Sequence, residues 1–298
     1  MVAPTRGVHY LWIVQNDRLH RVLPGTGEWH VVGGADWRGP ASIAAADGAL
    51  YIINNDRLHR VEPDSGAWQV LGGPDWGGKA FLVKASRGLF AVQNGYFHRV
   101  EYDGSWQVLG DWVWQRTLAM TTTPTSIYAI RDKENGFPEG SLWRIRPSGA
   151  PERHLELRNF VGTSAMTSIG ELLYFVRKDT LIRVNLDAPR APDRFKVIGT
   201  AGDWAGTQAM CSLAGKLFIV ENDRLHSVDP TSGAWTVLGD PAWPGSAAMT
   251  ILGVPQRSSI DSIPRPSGGL PQRDRRVRAE RRSGTDKAKP VRTRRNTR

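Results

Sequence analysis

Apolar and polar residues alternate along most of the first 255 residues, in short runs that are separated by turn sequences. One such run is residues 50–53, which is followed by the pair Asn55-Asp56 and a second apolar run. Asn-Asp and Asn-Gly pairs in this position are typical of two-residue β-hairpin turns, because those turns require positive φ angles. No window has the i, i+3, i+4, i+7 spacing of an amphipathic helix. The pattern therefore predicts an all-β chain.

The hairpin sequence around Asn55-Asp56 occurs six times. Close copies occupy residues 16–22 and 222–228, and looser copies occupy residues 94–100, 140–145 and 178–184. The central apolar residues of the six copies, spaced 39 to 45 residues apart, are Leu19, Leu58, Phe97, Leu142, Leu181 and Leu225. A period of about 40 residues is typical of β-propeller blades.

Each repeat contains the sequence of four short strands. The turn pair joins two strands, and the turn Pro63-Asp64-Ser65-Gly66 leads into a third, which carries Trp68. The fourth strand is rich in alanine and, in four of the units, carries a methionine. Four strands in each repeat predict a propeller blade, and the small side chains of the alanine-rich strand predict that it is the innermost one.

The two ends of the repeat region complement each other. The first unit lacks the alanine-rich strand, and an additional copy of it, residues 246–252, follows the last unit. Pairing of these two fragments would leave no open edge in the ring. The sequence therefore predicts a six-bladed β-propeller of four-stranded blades, closed by pairing the C-terminal strand with the N-terminal blade.

The net charge is concentrated at the C-terminal end of the sequence. The chain has 39 Lys and Arg against 29 Asp and Glu, a net charge of +10, and all of the excess lies beyond residue 255. Residues 256–298 also contain almost no aliphatic side chains. We expect residues 1–255 to form the propeller and residues 256–298 to form a basic disordered tail that binds nucleic acid or another polyanion only weakly.

Several kinds of site are not indicated by the sequence. No nucleophile motif, phosphate loop or cysteine pair occurs, and the single Cys211 takes a place that holds threonine in other repeats. The repeated histidines share their position with Trp143 and Ile182, which indicates packing rather than metal binding. These histidines are His20, His59, His98 and His226. We therefore expect no enzymatic activity, no cofactor and no bound metal.

The sequence has no apolar run long enough for a signal peptide or a membrane span. We expect a soluble monomer without a membrane span. It would be cytoplasmic or released by a route that does not use a Sec signal.

The connections between repeats supply the candidate binding site. Five of the six connections contain a tryptophan on a loop, and in four of them an aspartate directly precedes it. A carboxylate can accept hydrogen bonds from sugar hydroxyls, and an indole can pack against the apolar side of a pyranose. The alternative is that Trp wedges between blades and Asp caps the loop backbone. The candidate residues are Asp36, Trp37, Asp75, Trp76, Asp111, Trp112, Asp203, Trp204 and Trp243.

Three sequence features together resemble those of the tachylectin-like β-propeller lectins. They are the Asn-Asp-Arg-Leu-His-Arg hairpins, the Trp-Gln-Val-Leu-Gly-Gly strand and the Asp-Trp connections, and the resemblance covers residues 8–253. It implies several equivalent inter-blade sites for N-acetylated sugars. The chain differs from that family in having six short units and an Asn159-Phe160 connection.

These observations predict a multivalent carbohydrate-binding protein whose partners are glycans or glycoconjugates. The alternative function is a protein-protein interaction scaffold without sugar binding, since propellers carry many unrelated functions. A propeller lyase or hydrolase is the third class, and it is the one that the sequence favours least.

Overall fold

The protein is described from a computed structural model. It covers residues 8–254 except residue 87 and residues 134–136, 147–150, 156–159, 189–193 and 246–247. The segment 256–298, which the sequence predicts to be a basic tail, lies outside the described residues. In the described ranges, no helix has the length and apolarity needed to cross a membrane.

The described residues form six antiparallel sheets of four strands, arranged as blades around a central channel. Blade 1 contains β1 (Val8–Gln15), β2 (Asp17–Val22), β3 (Trp29–Trp37) and the distant β24 (Ala248–Val254); blade 2 contains β4 (Ala41–Ala46), β5 (Ala49–Asn54), β6 (Asp56–Val61) and β7 (Trp68–Trp76); blade 3 contains β8 (Ala80–Ala85), β9 (Gly88–Gln93), β10 (Tyr96–Val100) and β11 (Trp106–Leu109). Blade 4 contains β12 (Thr117–Thr122), β13 (Ile127–Arg131), β14 (Ser141–Ile145) and β15 (Pro151–Leu155); blade 5 contains β16 (Thr163–Ile169), β17 (Leu172–Arg177), β18 (Thr180–Asn185) and β19 (Phe195–Ile198); blade 6 contains β20 (Thr207–Leu213), β21 (Lys216–Glu221), β22 (Arg224–Val228) and β23 (Trp235–Leu238).

The strand order confirms the predicted six-bladed propeller and its closure. In blade 1, β24 pairs with β1, from Val8 opposite Val254 to Val14 opposite Ala248. The alanine-rich strands β24, β4, β8, β12, β16 and β20 contact one another in sequence around the ring. They are therefore the innermost strands, as their small side chains predict.

The turns also form as predicted. Asn55 and Asp56 have φ angles of 48° and 65°, and the equivalent pairs in blades 1 and 6 have nearly the same values. Two successive residues with positive φ define the type I′ turn, whose twist matches that of the strands it connects. The Asn-Asp pairs are therefore explained by hairpin geometry.

One large aromatic side chain fills each junction between two blades. At the junction of blades 1 and 2, Trp37 lies in a cluster with Leu19 of blade 1 and Ile52 of blade 2. All six side chains at this position are 2% exposed or less, and they are Trp37, Trp76, Trp114, Phe160, Trp204 and Trp243. Burial of an aromatic ring removes a large apolar area from water, so each junction is held mainly by this ring.

Hydroxyl side chains connect several of the inner strands where no β-ladder joins them. Thr122 donates its hydroxyl hydrogen to the carbonyl oxygen of Lys84 in blade 3. Ser168 of blade 5 donates in the same way to Thr122, and Ser212 of blade 6 donates to Ser168. These hydrogen bonds satisfy carbonyl groups of inner strands that would otherwise face the channel or a neighbouring blade.

On the outside of the ring, glycines of neighbouring blades approach closely through their backbones at three junctions. Gly66 ends the turn before β7 with a φ of 72°, and a Cβ atom added to it would lie 2.5 Å from the nitrogen of Gly33 in blade 1. The same contact recurs between Gly27 and Gly239 and between Gly233 and Gly199. Close approach at these points excludes any side chain, which explains why the turn ends in glycine in these repeats.

We expect Gly66→Ala to destabilise the fold more than Gly48→Ala. Gly48 has a φ of 71° and no atom within 4 Å of an added Cβ. Gly48→Ala therefore measures only the cost of placing alanine at a positive φ, about 1–2 kcal/mol. Gly66→Ala adds the clash with Gly33, worth about 1–3 kcal/mol more. Urea denaturation of the two variants measures the difference. Equal free energies of unfolding would contradict the inferred contact.

Candidate functional site

Four of the junctions between blades carry the same group of three rings. At the junction of blades 1 and 2, the centroid of the His59 ring lies 5.2 Å from that of Trp37 and 5.2 Å from that of Trp68. Both pairs are edge-to-face, an arrangement that aromatic quadrupoles favour. The four ring groups are Trp37, His59 and Trp68; Trp76, His98 and Trp106; Trp204, His226 and Trp235; and Trp243, His20 and Trp29.

Strand register brings the rings together. Val61 is paired with Trp68, and His59 with Val70, so alternation along β6 and β7 puts these side chains on the face of blade 2 that is turned to blade 1. The buried ring belongs to the neighbouring blade, and in blade 1 it follows a long bulge. In β3, Val32 is paired with Leu19, yet Trp37 is paired with Asp17, and the residues between them leave the ladder.

The rings of each group differ in exposure. The tryptophans that begin the outermost strands are half-exposed: Trp29 41%, Trp68 44%, Trp106 41% and Trp235 45%. The predicted site residues Trp37, Trp76, Trp204 and Trp243 are instead buried between blades, so they are not available to a ligand on the surface. The alternative that Trp acts as a wedge is the one that the geometry supports for these four.

One predicted aspartate is hydrogen-bonded to the half-exposed indole of the following blade. Asp75 Oδ2 accepts a hydrogen bond of 3.2 Å from Trp106 Nε1, which joins blade 2 to blade 3. Asp36 occupies the same place in its connection, close enough to His59 for its charge to act on the pKa of that imidazole.

Asp203 lies near Glu221 at the hairpin end of blade 6, where burial raises the pKa of Glu221 and the charge of Asp203 adds to the shift. Trp235 is paired with Val228 at the other end of that blade. A carboxylate and an accessible indole thus meet at the junction of blades 2 and 3, and Asp36 takes the equivalent position in the preceding connection.

The predicted pair Asp111 and Trp112 lies elsewhere. Trp112 is 57% exposed and donates its Nε1 hydrogen to the carbonyl oxygen of Asn94, so it covers a hairpin turn of its own blade. The buried ring of this connection is Trp114, two residues later. The predicted pair therefore used a tryptophan two residues before the buried ring. Asp111 does not occupy the position of Asp36 and Asp75.

Spacing is the signal that could have corrected this register, because it is nearly constant in five of the six connections. The buried ring follows the central leucine of its hairpin by 18 residues in blades 1, 2, 4 and 6, and follows Phe97 by 17 residues in blade 3. In blade 5, Trp204 follows Leu181 by 23 residues. The spacing of 18 identifies Phe160 as the buried ring of the fourth connection, and Phe160 is 1% exposed and packs like the tryptophans.

The histidines of the ring groups are held in their neutral form. Burial lowers the pKa of His20 to about 4, assisted by the positive charge of Arg18. Burial likewise lowers the pKa values of His59, His98 and His226. A neutral imidazole packs its edge against both indoles without the cost of burying a charge. Among the described residues, no group of three or more His, Cys, Asp and Glu side chains could hold a metal ion.

Three solved structures share this fold at low sequence identity. A chain in the crystal structure of a nidogen/laminin complex aligns with a TM-score of 0.67 and 14% identity, over 82% of this chain and 98% of that chain. A gluconolactonase from Xanthomonas campestris aligns with a TM-score of 0.57 and 14% identity, over 86% and 96%. A virginiamycin B lyase from Staphylococcus aureus aligns with a TM-score of 0.50 and 18% identity, over 68% and 71%. No protein-family model matches the sequence, and no curated protein matches it.

These structures overturn the prediction that the chain is not an enzyme. That prediction depended on the absence of familiar catalytic motifs and on the symmetric placement of the polar residues. The lyase and the gluconolactonase are enzymes with the same type of fold, so a propeller without such motifs is not thereby excluded from catalysis. The corrected statement is that the chain has a fold that enzymes use.

We expect Trp37→Ala to cost about 3–5 kcal/mol of unfolding free energy, because it removes a fully buried ring between two blades. Trp68→Ala should cost less than half as much, since Trp68 is 44% exposed. Denaturant unfolding at 25 °C measures both values. Similar losses would show that the exposed indole is mainly a structural element.

We also expect stability to fall as the pH is lowered from about 6.5 to about 4. The unfolded His20 binds a proton near pH 6.5, whereas the folded one does so only near pH 4, so protonation in this window favours unfolding. His20→Phe keeps a ring of similar size at this position. It should reduce the loss of unfolding free energy on acidification by about 1–3 kcal/mol. Melting temperatures at pH 7 and pH 4.5 provide the test, and an unchanged pH dependence in the variant would contradict it.

Proposed function

We propose that the protein is a multivalent carbohydrate-binding protein whose sites are the outer grooves between blades 1 and 2, 2 and 3, and 5 and 6. The observation that supports this is the meeting of a carboxylate and a half-exposed indole in Asp75 and Trp106. Asp36 takes the equivalent position in the connection before Trp68, and Asp203 stands before the buried ring of the third connection. At the junction of blades 6 and 1, Ala242 takes the place of the aspartate beside Trp29.

The chemistry of each groove suits a pyranose ring. The indole offers a flat apolar surface for the C–H side of the sugar, and the carboxylate accepts hydrogen bonds from adjacent hydroxyls. The indole of Trp68 is held in place by His59 and by the buried Trp37. A ring that is already fixed loses little conformational entropy when a ligand packs on it.

An exposed valine beside the indole favours N-acetylated sugars. Val70 and Val108 stand two residues after Trp68 and Trp106, on the same face of their outer strands, and are 36% and 44% exposed. The methyl group of an acetamido substituent can pack against such a valine, while its N–H donates to the nearby carboxylate. This arrangement is consistent with the resemblance to the tachylectin-like lectins.

Several weak sites on one ring would give strong binding to a dense glycan surface. A monosaccharide contributes few atoms on an exposed groove, so each site should bind weakly. Simultaneous engagement of several grooves raises the overall avidity by about 100-fold to 10,000-fold when the spacing of the glycans permits it.

A protein-protein interaction is the second candidate function. It is favoured by the structural similarity to a chain of the nidogen/laminin complex, since that structure contains a protein partner. Half-exposed tryptophans are also common in protein interfaces. Inhibition by a monosaccharide distinguishes the two functions, because a protein interface is not displaced by a free sugar.

The test is a glycan array and an agglutination assay with the variant Asp36→Ala/Asp75→Ala/Asp203→Ala. Loss of a charge-assisted hydrogen bond should weaken each groove by about 10-fold to 100-fold, so binding and agglutination should be lost. N-acetylglucosamine should inhibit the unaltered protein better than glucose does.

The matched control is Asp111→Ala/Asp240→Ala, which removes carboxylates from the same type of connection but not from the positions of Asp36 and Asp75. It should retain binding. Unchanged binding by the triple variant would contradict the proposed grooves, and loss of binding together with a large drop in melting temperature would identify the aspartates as loop caps.

A further inference from the structure

The inner strands enclose a cavity of about 730 Å³ at the end of the channel where those strands begin, here called the upper channel. One side chain from each blade contributes to its wall at the same register position. These residues are Ile43, Leu82, Met120, Met166, Met210 and Met249. A cavity of this size lies within the range of about 300–1,000 Å³ that small-molecule sites occupy.

The shared register position in the upper channel is apolar and adaptable, while polar side chains such as Ser42, Ser164 and Gln208 line the same cavity. Four of its six equivalent side chains are methionines, which are unbranched, flexible and polarizable. Such side chains can rearrange around an aliphatic chain of variable shape. The methionines are therefore expected to accommodate extended apolar groups of different shapes.

Lys79 breaks the symmetry of the upper channel. It stands three residues before Leu82, as Thr117, Thr163 and Thr207 stand three residues before the methionines of blades 4, 5 and 6. A bulge in those three blades gives the threonines the ladder position of Ala80, so Lys79 precedes the ladder of its own blade. Those hydroxyls donate to backbone carbonyls of the preceding connection. Lys79 instead lines the cavity, with its Nζ atom 4.8 Å from the centre of the Phe81 ring.

The ammonium group of Lys79 has no ion-pair partner among the described residues. Lys79 is an exposed residue of the lining, and partial burial of its ammonium group lowers its pKa below the ordinary value for lysine. The other charged residue in the lining is Asp56, which belongs to a hairpin turn at the rim. One cation beside an apolar wall can neutralise one negative charge.

We propose that the upper channel binds an amphipathic monoanion, a carboxylate with an aliphatic chain of medium length. Its carboxylate pairs with Lys79, and its chain lies along the methionines. No arginine and no second lysine line this cavity, so a phosphate with two charges is disfavoured. This site is separate from the sugar grooves, which lie on the outside of the ring.

Calorimetric titration with decanoate and with decan-1-ol tests the assignment. Lys79→Gln should weaken decanoate binding about tenfold or more and leave decanol binding nearly unchanged, because only the carboxylate uses the charge. Lys84→Gln is the matched control, since Lys84 lies on β8, the inner strand that Lys79 immediately precedes, and does not line the cavity. It should bind decanoate as tightly as the unaltered protein does.

A blocking variant tests the location. Ser164 is exposed within the lining of the upper channel, so Ser164→Trp should fill the space and abolish binding of both probes without loss of the fold, as judged by circular dichroism. Decanoate binding that survives Ser164→Trp, or that falls equally in Lys79→Gln and Lys84→Gln, would overturn the proposal. So would the absence of decanoate binding to the folded, unaltered protein at millimolar concentration.

Discussion

The close approach of neighbouring blades is the constraint on which the rest of the structure depends. Inside each junction the space admits one flat ring, such as Trp37, and outside it several junctions admit only backbone, as at Gly33 and Gly66. Packing at crystal-like density leaves little freedom at either point. The distance between blades is therefore fixed, and so are the relative positions of the outer strands of neighbouring blades. The relation of Asp75 to Trp106 is one consequence of it.

The fold could be predicted from the sequence because each of its levels leaves a local signal. The Asn-Asp pairs specify the hairpins, the regular spacing specifies the blades, and the additional strand 246–252 specifies closure. Phe160 was missed because its position demands a buried ring of suitable size rather than a tryptophan. Identity varies under such a packing requirement, while the distance along the chain stays within one residue in five of the six connections.

The proposed site was only partly predictable from the sequence. Its aspartates were among the predicted residues but its half-exposed indoles were not, because the orientation of a side chain depends on a bulge that has no simple sequence signature. Trp37 follows that bulge and returns to pair with Asp17, which turns it inward. Trp68 begins the outermost strand and keeps one side towards water. Two tryptophans in similar sequence surroundings thus acquire opposite roles.

Closure by β24 also has a consequence for biosynthesis. The partner of β1 is more than 200 residues away in sequence, so the edge of β1 has no native partner until residues 248–254 leave the ribosome. At about 5–20 residues per second this interval is on the order of 10–50 seconds. During it, the nascent chain exposes an apolar strand edge of the kind that pairs with other chains. Translation rate and chaperone access therefore bear on the yield of this ring as directly as its final stability does.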